Sequence, residues 1–176
     1  MEVIRWKLKL QWLLVIFITM IKLLDLLKED NPFVPKGTPE EREKDYNRIT
    51  QNKIQEYIKS GMKGDLDLSN TSITSLPSNL TKVGGDLWLF YTKITSLPDN
   101  LTVGGNLNLS DTNITSLPYN LTVGGNLNLF NTQITSLPSN LTVGGDLDLF
   151  YTPLSKKYSE DKIRAMVPNF KGKIYM

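Results

Sequence analysis

Gly64-Asp65-Leu66-Asp67-Leu68-Ser69-Asn70-Thr71-Ser72-Ile73-Thr74-Ser75-Leu76-Pro77-Ser78-Asn79-Leu80-Thr81-Lys82-Val83-Gly84 decides the fold, because near copies follow at Gly85, Gly105 and Gly125. A fifth copy starts at Gly145 and diverges after Thr152. The period is 20 residues, with one extra residue in the first copy, where Lys82 precedes Val83. Self-similarity at such a period marks a stacked array. Leu-x-Leu reads as a short strand with both leucines on one face. The Thr, Ile and Leu that follow lead the chain back to the same interior. Pro77, Pro98, Pro118 and Pro138 stop helix formation. The Gly-Gly pairs at 84–85, 104–105, 124–125 and 144–145 are expected to supply the turn into the next strand. One copy cannot bury its leucines alone. Stacked copies can, with like strands about 4.8 Å apart in a parallel sheet.

At L-x-L-x-x-T-x-I-x-x-L-P-x-x-L the sequence resembles the leucine-rich repeat family, in its short bacterial-type class. The resemblance implies an α/β fold, a right-handed solenoid with a parallel β-sheet on its concave face. Thr71, Thr92, Thr112, Thr132 and Thr152 stand where that family most often has Asn. A stacked Thr hydroxyl is expected to bond the next turn's backbone. The wording T-S-L-P-x-N-L-T-V-G-G also resembles repeat proteins of tailed bacteriophages. Such a family is defined by its scaffold, so the resemblance implies no particular activity.

Composition removes whole classes of chemistry. The 176 residues include no Cys and no His. That excludes disulfides, thiolate nucleophiles, Cys/His zinc sites and imidazole-dependent triads. The formal net charge is +2, but it is unevenly spread. Residues 1–63 carry 12 basic and 9 acidic side chains, and 153–176 carry 6 and 2. The repeats between them hold Lys82 and Lys93 against seven Asp (65, 67, 86, 99, 111, 146 and 148), net −5. A basic groove that could track phosphates is missing from the repeats, which disfavours nucleic acid.

The flanks read as caps for the exposed ends of the array. Over residues 38–62, Thr38-Pro39-Glu40-Glu41 opens a helix as a capping box, and Gly61 stops it. Its apolar residues Tyr46, Ile49, Ile54, Tyr57 and Ile58 are expected to lie over the first repeat. Over residues 153–176, Ser159 opens a short helix through Met166, ended by Pro168. Gly172-Lys173-Ile174-Tyr175-Met176 then repeats G-x-L-x-L as a last strand with basic residues at the edge. With both ends so covered, the expectation is a complete array over 63–152.

Residues 1–30 are apolar, with Arg5, Lys7 and Lys9 before an uncharged run from Leu10 to Ile21. Twelve residues are short for a membrane span of about 20, and extension to Leu27 takes in Lys22 and Asp25. A membrane anchor over 10–27, a packed or amphipathic helix, and a chain that starts at Met20 all stay open. A cleaved signal lacks an Ala-x-Ala-like site, since Ala165 is the only alanine. The compartment is cytoplasmic for a start at Met20 and membrane-associated for an anchor. Residues 31–37 read as a linker.

If the strand leucines point inward, their neighbours form outward columns. These are Asp65/Asp86/Asn106/Asn126/Asp146, Asp67/Trp88/Asn108/Asn128/Asp148 and Ser69/Phe90/Ser110/Phe130/Phe150, with Asn70/Tyr91/Asp111/Asn131/Tyr151 in the turn beyond. Here the copies stop being copies. Asp86, Trp88, Phe90, Tyr91, Asn108, Asn128, Phe130, Asp148, Phe150 and Tyr151 therefore form the expected ligand-binding face. Aromatics among Asp and Asn are typical of protein-interface anchors, so the expected function is a non-catalytic protein-binding module. A surface or membrane-anchored adhesin for glycans and a structural subunit of a phage or cell-surface particle are the alternatives. No cofactor, metal or catalytic residue is expected. The carboxylates recur as a ladder with no separate acid–base pair, no phosphate loop is present, and ubiquitin-ligase relatives of the repeat need a Cys. Asn79, Asn100, Asn120 and Asn140 each head N-L-T, read here as a copied unit in preference to glycosylation signals.

Overall fold

Leu66–Asp67 (β1), Leu87–Trp88 (β3), Leu107–Asn108 (β5), Leu127–Asn128 (β7) and Leu147–Asp148 (β9) pair in parallel, each Leu in register with the next. These strands come from a computed structural model that describes residues 36–168 and 170–176. The chain divides into two compact units, Met1–Lys44 and Asp45–Met176. The second is a β-solenoid that advances one strand per 20 residues, as Leu107↔Leu127 and Leu127↔Leu147 show. Residues 1–30 and nearly all of the 31–37 linker lie outside the described residues. Among those described, no helix is long and apolar enough to cross a membrane.

A second parallel sheet accompanies the first. Lys82–Val83 (β2), Thr102–Val103 (β4), Thr122–Val123 (β6) and Thr142–Val143 (β8) form it in that order. The sequence reading held one sheet only. The missed signal is the L-T-V triplet, whose Leu and Val are buried while the Thr between them is not, as at Leu121 and Val123. That alternation is a strand's period of two. The first copy fits the same sheet: Lys82 takes the register position of Thr102, so the extra residue is absorbed before it, at Thr81.

The core lies between the sheets. The turn beginning at Gly105 sends Leu107, Leu109, Ile114, Leu117, Leu121 and Val123 inward, all buried. Each such side chain contributes about 1.5–3 kcal/mol when taken from water, and like residues from adjacent turns stack.

Two local expectations are corrected. The repeat threonines do not bond the next turn. Thr92, Thr112 and Thr132 donate their hydroxyls to Leu89, Leu109 and Leu129 carbonyls of their own turn, each at 2.7 Å. A hydroxyl on a short side chain reaches the carbonyl three residues back sooner than a neighbouring strand. The Gly-Gly pairs are also not turns of unusual dihedral angle, since none has positive φ. A Cβ on Gly124 would stand 2.2 Å from the Gly104 carbonyl oxygen, and one on Gly145 2.1 Å from Asn126 Oδ1. Glycine is needed there because successive turns touch backbone to backbone.

Helix α1, Pro39–Lys59, opens with reciprocal bonds: Thr38 N–H to Glu41 Oε2 at 2.8 Å and Glu41 N–H to Thr38 Oγ1 at 3.2 Å. After it, Gly61 takes φ +86°. Thr50 and Ile54 are buried, and Tyr57 and Ile58 pack on the core. Tyr46 and Ile49, expected over the first repeat, are 67% and 60% exposed. Ile49 sits about 100° around the helix from Thr50, off the buried 50/54/57/58 stripe.

Beyond the repeats, Pro153–Lys157 forms a short helix (α2) that the sequence reading missed, with Thr152 Oγ1 accepting from Ser155 N–H at 3.1 Å. Glu160–Met166 (α3) follows Ser159, whose side chain makes no capping bond. Ile163, Val167 and Phe170 are buried. Ile174–Tyr175 (β10) is the sixth strand of the first sheet, parallel to β9.

Candidate functional site

The first outward column is a hydrogen-bonded ladder. Asp65 Oδ1 accepts the Asp86 N–H at 2.8 Å, Asp86 Oδ1 the Asn106 N–H at 2.6 Å, and Asn106 Oδ1 the Asn126 N–H at 2.8 Å. Asn126 Oδ1 then accepts Asp146 N–H at 2.7 Å, and Asp146 Oδ1 accepts Lys173 N–H at 2.9 Å. Only a short side chain ending in an oxygen can make this link, which explains why Asp and Asn interchange here and nothing else occurs. Asp86, counted among the ligand-binding residues, thus spends one carboxylate oxygen on the scaffold.

The second column is also built on side-chain oxygens, but within each turn. Asp67, Asn108, Asn128 and Asp148 accept with Oδ1 from the N–H two residues on, at Ser69 (2.9 Å), Ser110 (3.0 Å), Phe130 (2.8 Å) and Phe150 (2.9 Å). Trp88 is the exception. Its indole is a donor only, so the second turn forgoes this bond.

The same turn breaks a second pattern. Asn70, Tyr91, Asp111, Asn131 and Tyr151 all have left-handed backbone, with φ between 51° and 61°. Asn and Asp tolerate that region, whereas for a bulky residue it is an outlier. Asp111 and Asn131 also bond each other, Asn131 Nδ2 donating to Asp111 Oδ1 at 2.7 Å. Tyr91 and Tyr151 gain no such bond from their rings and stand 62% and 63% exposed.

The aromatic residues gather in two groups. Phe90 meets Tyr91 edge to face, with ring centroids 5.8 Å apart, on the turn that carries Trp88. Phe130 meets Tyr151 at 5.2 Å, and Tyr151 meets the exposed Phe150 at 6.3 Å. Between the groups lies a polar turn with Asn108, Ser110 and Asp111. All ten expected residues therefore fall on β3, β5, β7 or β9 or in the short segments that flank these strands of one sheet. They do not form one continuous aromatic strip.

Tyr175 was missed as a member of this face. It is the register partner of Asp148, is 42% exposed, and donates its hydroxyl to Asp146 Oδ2 at 3.3 Å. The signal was the alignment of Gly172–Met176 with Gly145–Leu149, which puts Tyr175 in the second column. Asp67 belongs to the face as well. Partial burial would raise its carboxyl, but bonds from the Ser69 hydroxyl and N–H, with the Lys53 ammonium nearby, hold it below the usual carboxylate value.

The N-L-T asparagines form a separate ladder. Asn120 Nδ2 donates to Asn100 Oδ1 at 3.0 Å, and Asn140 Nδ2 donates to Asn120 Oδ1. Among the described residues no group of carboxylates is arranged to hold a metal ion.

No protein-family model, curated protein or solved structure matches the chain. The scaffold and its exposed face carry the functional argument alone.

Proposed function

We propose that the chain is a leucine-rich-repeat solenoid, right-handed and with β1-β3-β5-β7-β9-β10 on its concave face, that acts as a non-catalytic protein-binding module. The supporting observation is where its aromatics stand. Trp88 stands where the other turns use Asn or Asp to satisfy an N–H, and Tyr91 and Tyr151 stand at the left-handed position that the other three turns fill with Asn or Asp. Left-handed backbone in a non-glycine residue costs about 1–2 kcal/mol, which the edge-to-face contacts of Tyr91 with Phe90 and of Tyr151 with Phe130 offset in part while most of each tyrosine stays exposed. A protein partner that covers the rings repays the cost, since Trp and Tyr dominate interface energetics. The carboxylates of the first column are engaged with backbone N–H groups, which suits a recognition surface better than acid–base chemistry.

The test compares the full-length chain with Trp88→Ala/Phe130→Ala. Both residues project from the sheet and leave the leucine core intact, so equal circular dichroism and melting are expected. A stoichiometric protein partner that co-purifies with the wild type should be lost from the double variant and should rebind wild type when purified. Equal retention by both proteins, or face-dependent binding to a glycan array without a protein partner, overturns the reading.

A further inference from the structure

The face carries the same two-residue arrangement twice. Asp67 on β1 is the register partner of Trp88 on β3, and Asp148 on β9 is the register partner of Tyr175 on β10. In each case an Asp and an aromatic residue are register partners on neighbouring strands, whose backbones run about 4.8 Å apart. Oδ1 of each Asp is held by the N–H two residues on. No hydrogen bond among the described residues reaches either Oδ2. The Lys53 ammonium stands near Asp67 but donates its hydrogen bond to the main-chain oxygen and not to the carboxylate. The corresponding positions between the two arrangements are Asn108 and Asn128, both neutral.

Building on the protein-binding reading, we infer that the partner presents an extended cationic segment with two arginines six residues apart, one seated at Asp67–Trp88 and the other at Asp148–Tyr175. Charge selects a cation: the repeats are net −5. Geometry selects arginine, whose flat guanidinium can stack on a ring while its edge pairs with a carboxylate, whereas an ammonium is a point charge. Spacing selects the interval. From β1 to β9, as from β3 to β10, there are four strand steps, about 19 Å in all. Six residues of extended chain at about 3.3 Å each cover about 20 Å. Such a segment runs across the strands, with Asn108 and Asn128 beneath its middle.

The probes are capped peptides of Ser and Thr that hold two arginines six positions apart, the same two arginines three positions apart, or two lysines six positions apart. Binding to the full-length chain is read by fluorescence anisotropy over a salt series. The six-residue arginine peptide should bind about tenfold more tightly than either other peptide. Asp67→Asn and Asp148→Asn should each weaken it about tenfold, the scale of one charge-assisted bond, while Asp99→Asn, away from the face, should not. Equal binding of all three peptides, or indifference to both Asp variants, overturns the inference. If no arginine peptide binds while the partner is still lost from Trp88→Ala/Phe130→Ala, this inference alone falls. Retention of the partner by that double variant overturns the reading beneath it.

Discussion

Tyr91 and Tyr151 hold backbone that Asn or Asp would hold at lower energy, and that difference can be measured. Tyr91→Asn should stabilise the chain by up to about 1 kcal/mol in urea unfolding, the relieved left-handed penalty less the lost contact with Phe90. Tyr151→Asn, which loses contacts with both Phe130 and Phe150, should gain less, and both should weaken partner binding. A substitution that gains stability and loses binding separates a functional ring from a structural one. Asp67 offers a second measurement. Its carboxyl is held below the usual value in the fold, so the unfolded chain takes up a proton first as pH falls. The stability it contributes is full above the ordinary carboxylate pKa of about 3.9 and is lost as pH drops through the lower folded value. The stability gap between wild type and Asp67→Asn should therefore stay constant from about pH 7 to 5 and shrink below about pH 4. A gap that widened on acidification would reverse the assignment. Residue identity alone did point to the exposed aromatics, because they interrupt copies of a repeat. It could not show that Asp86 is tied to the next turn.

Among the elements, the two kinds of glycine should part company. Gly124→Ala forces a methyl to within 2.2 Å of the Gly104 carbonyl oxygen, where only a shift of the sheet can make room. It should cost about 3 kcal/mol or more. Gly61 has open space around its Cβ position but φ +86°, so Gly61→Ala should cost only about 1 kcal/mol. Equal losses in chemical denaturation would contradict the steric account. Asn126→Ala should cost about 0.5–1.5 kcal/mol, since it breaks an exposed bond and takes from the Asp146 N–H an acceptor that water replaces only in part. The leucine strands were legible from their alternation and α1 from its capping box, whereas the short helix Pro153–Lys157 was not. The second sheet was not, because L-T-V, as short as Leu-x-Leu, shows one apolar–polar–apolar step between Pro and Gly that a corner of the array shows equally well.

For the molecule as a whole, stability rests on contacts between like residues 20 apart. Leu107 pairs in register with Leu87 on one side and Leu127 on the other, and it is fully buried. Leu107→Asp places an unpaired carboxylate between the two turns, a change on the scale that unfolds a small domain. The array should lose its cooperative melting transition, and an equivalent change at exposed Asn113 should leave it unaltered. Coupling between turns also places Asp67 and Asp148 at a set interval, because every strand step repeats the same spacing.

The sequence by itself determined where the chain turns, which leucines face inward and which columns vary, since all three follow from periods of two and 20 along the chain. Tertiary structure decided the rest. Whether Asp86 faces a ligand or a neighbouring N–H depends on the turn 20 residues later, and whether glycine is required depends on how near that turn approaches. The exposure of Ile49 depends on which stripe of α1 meets the core. These are distances between segments remote in sequence, and no local pattern encodes a distance.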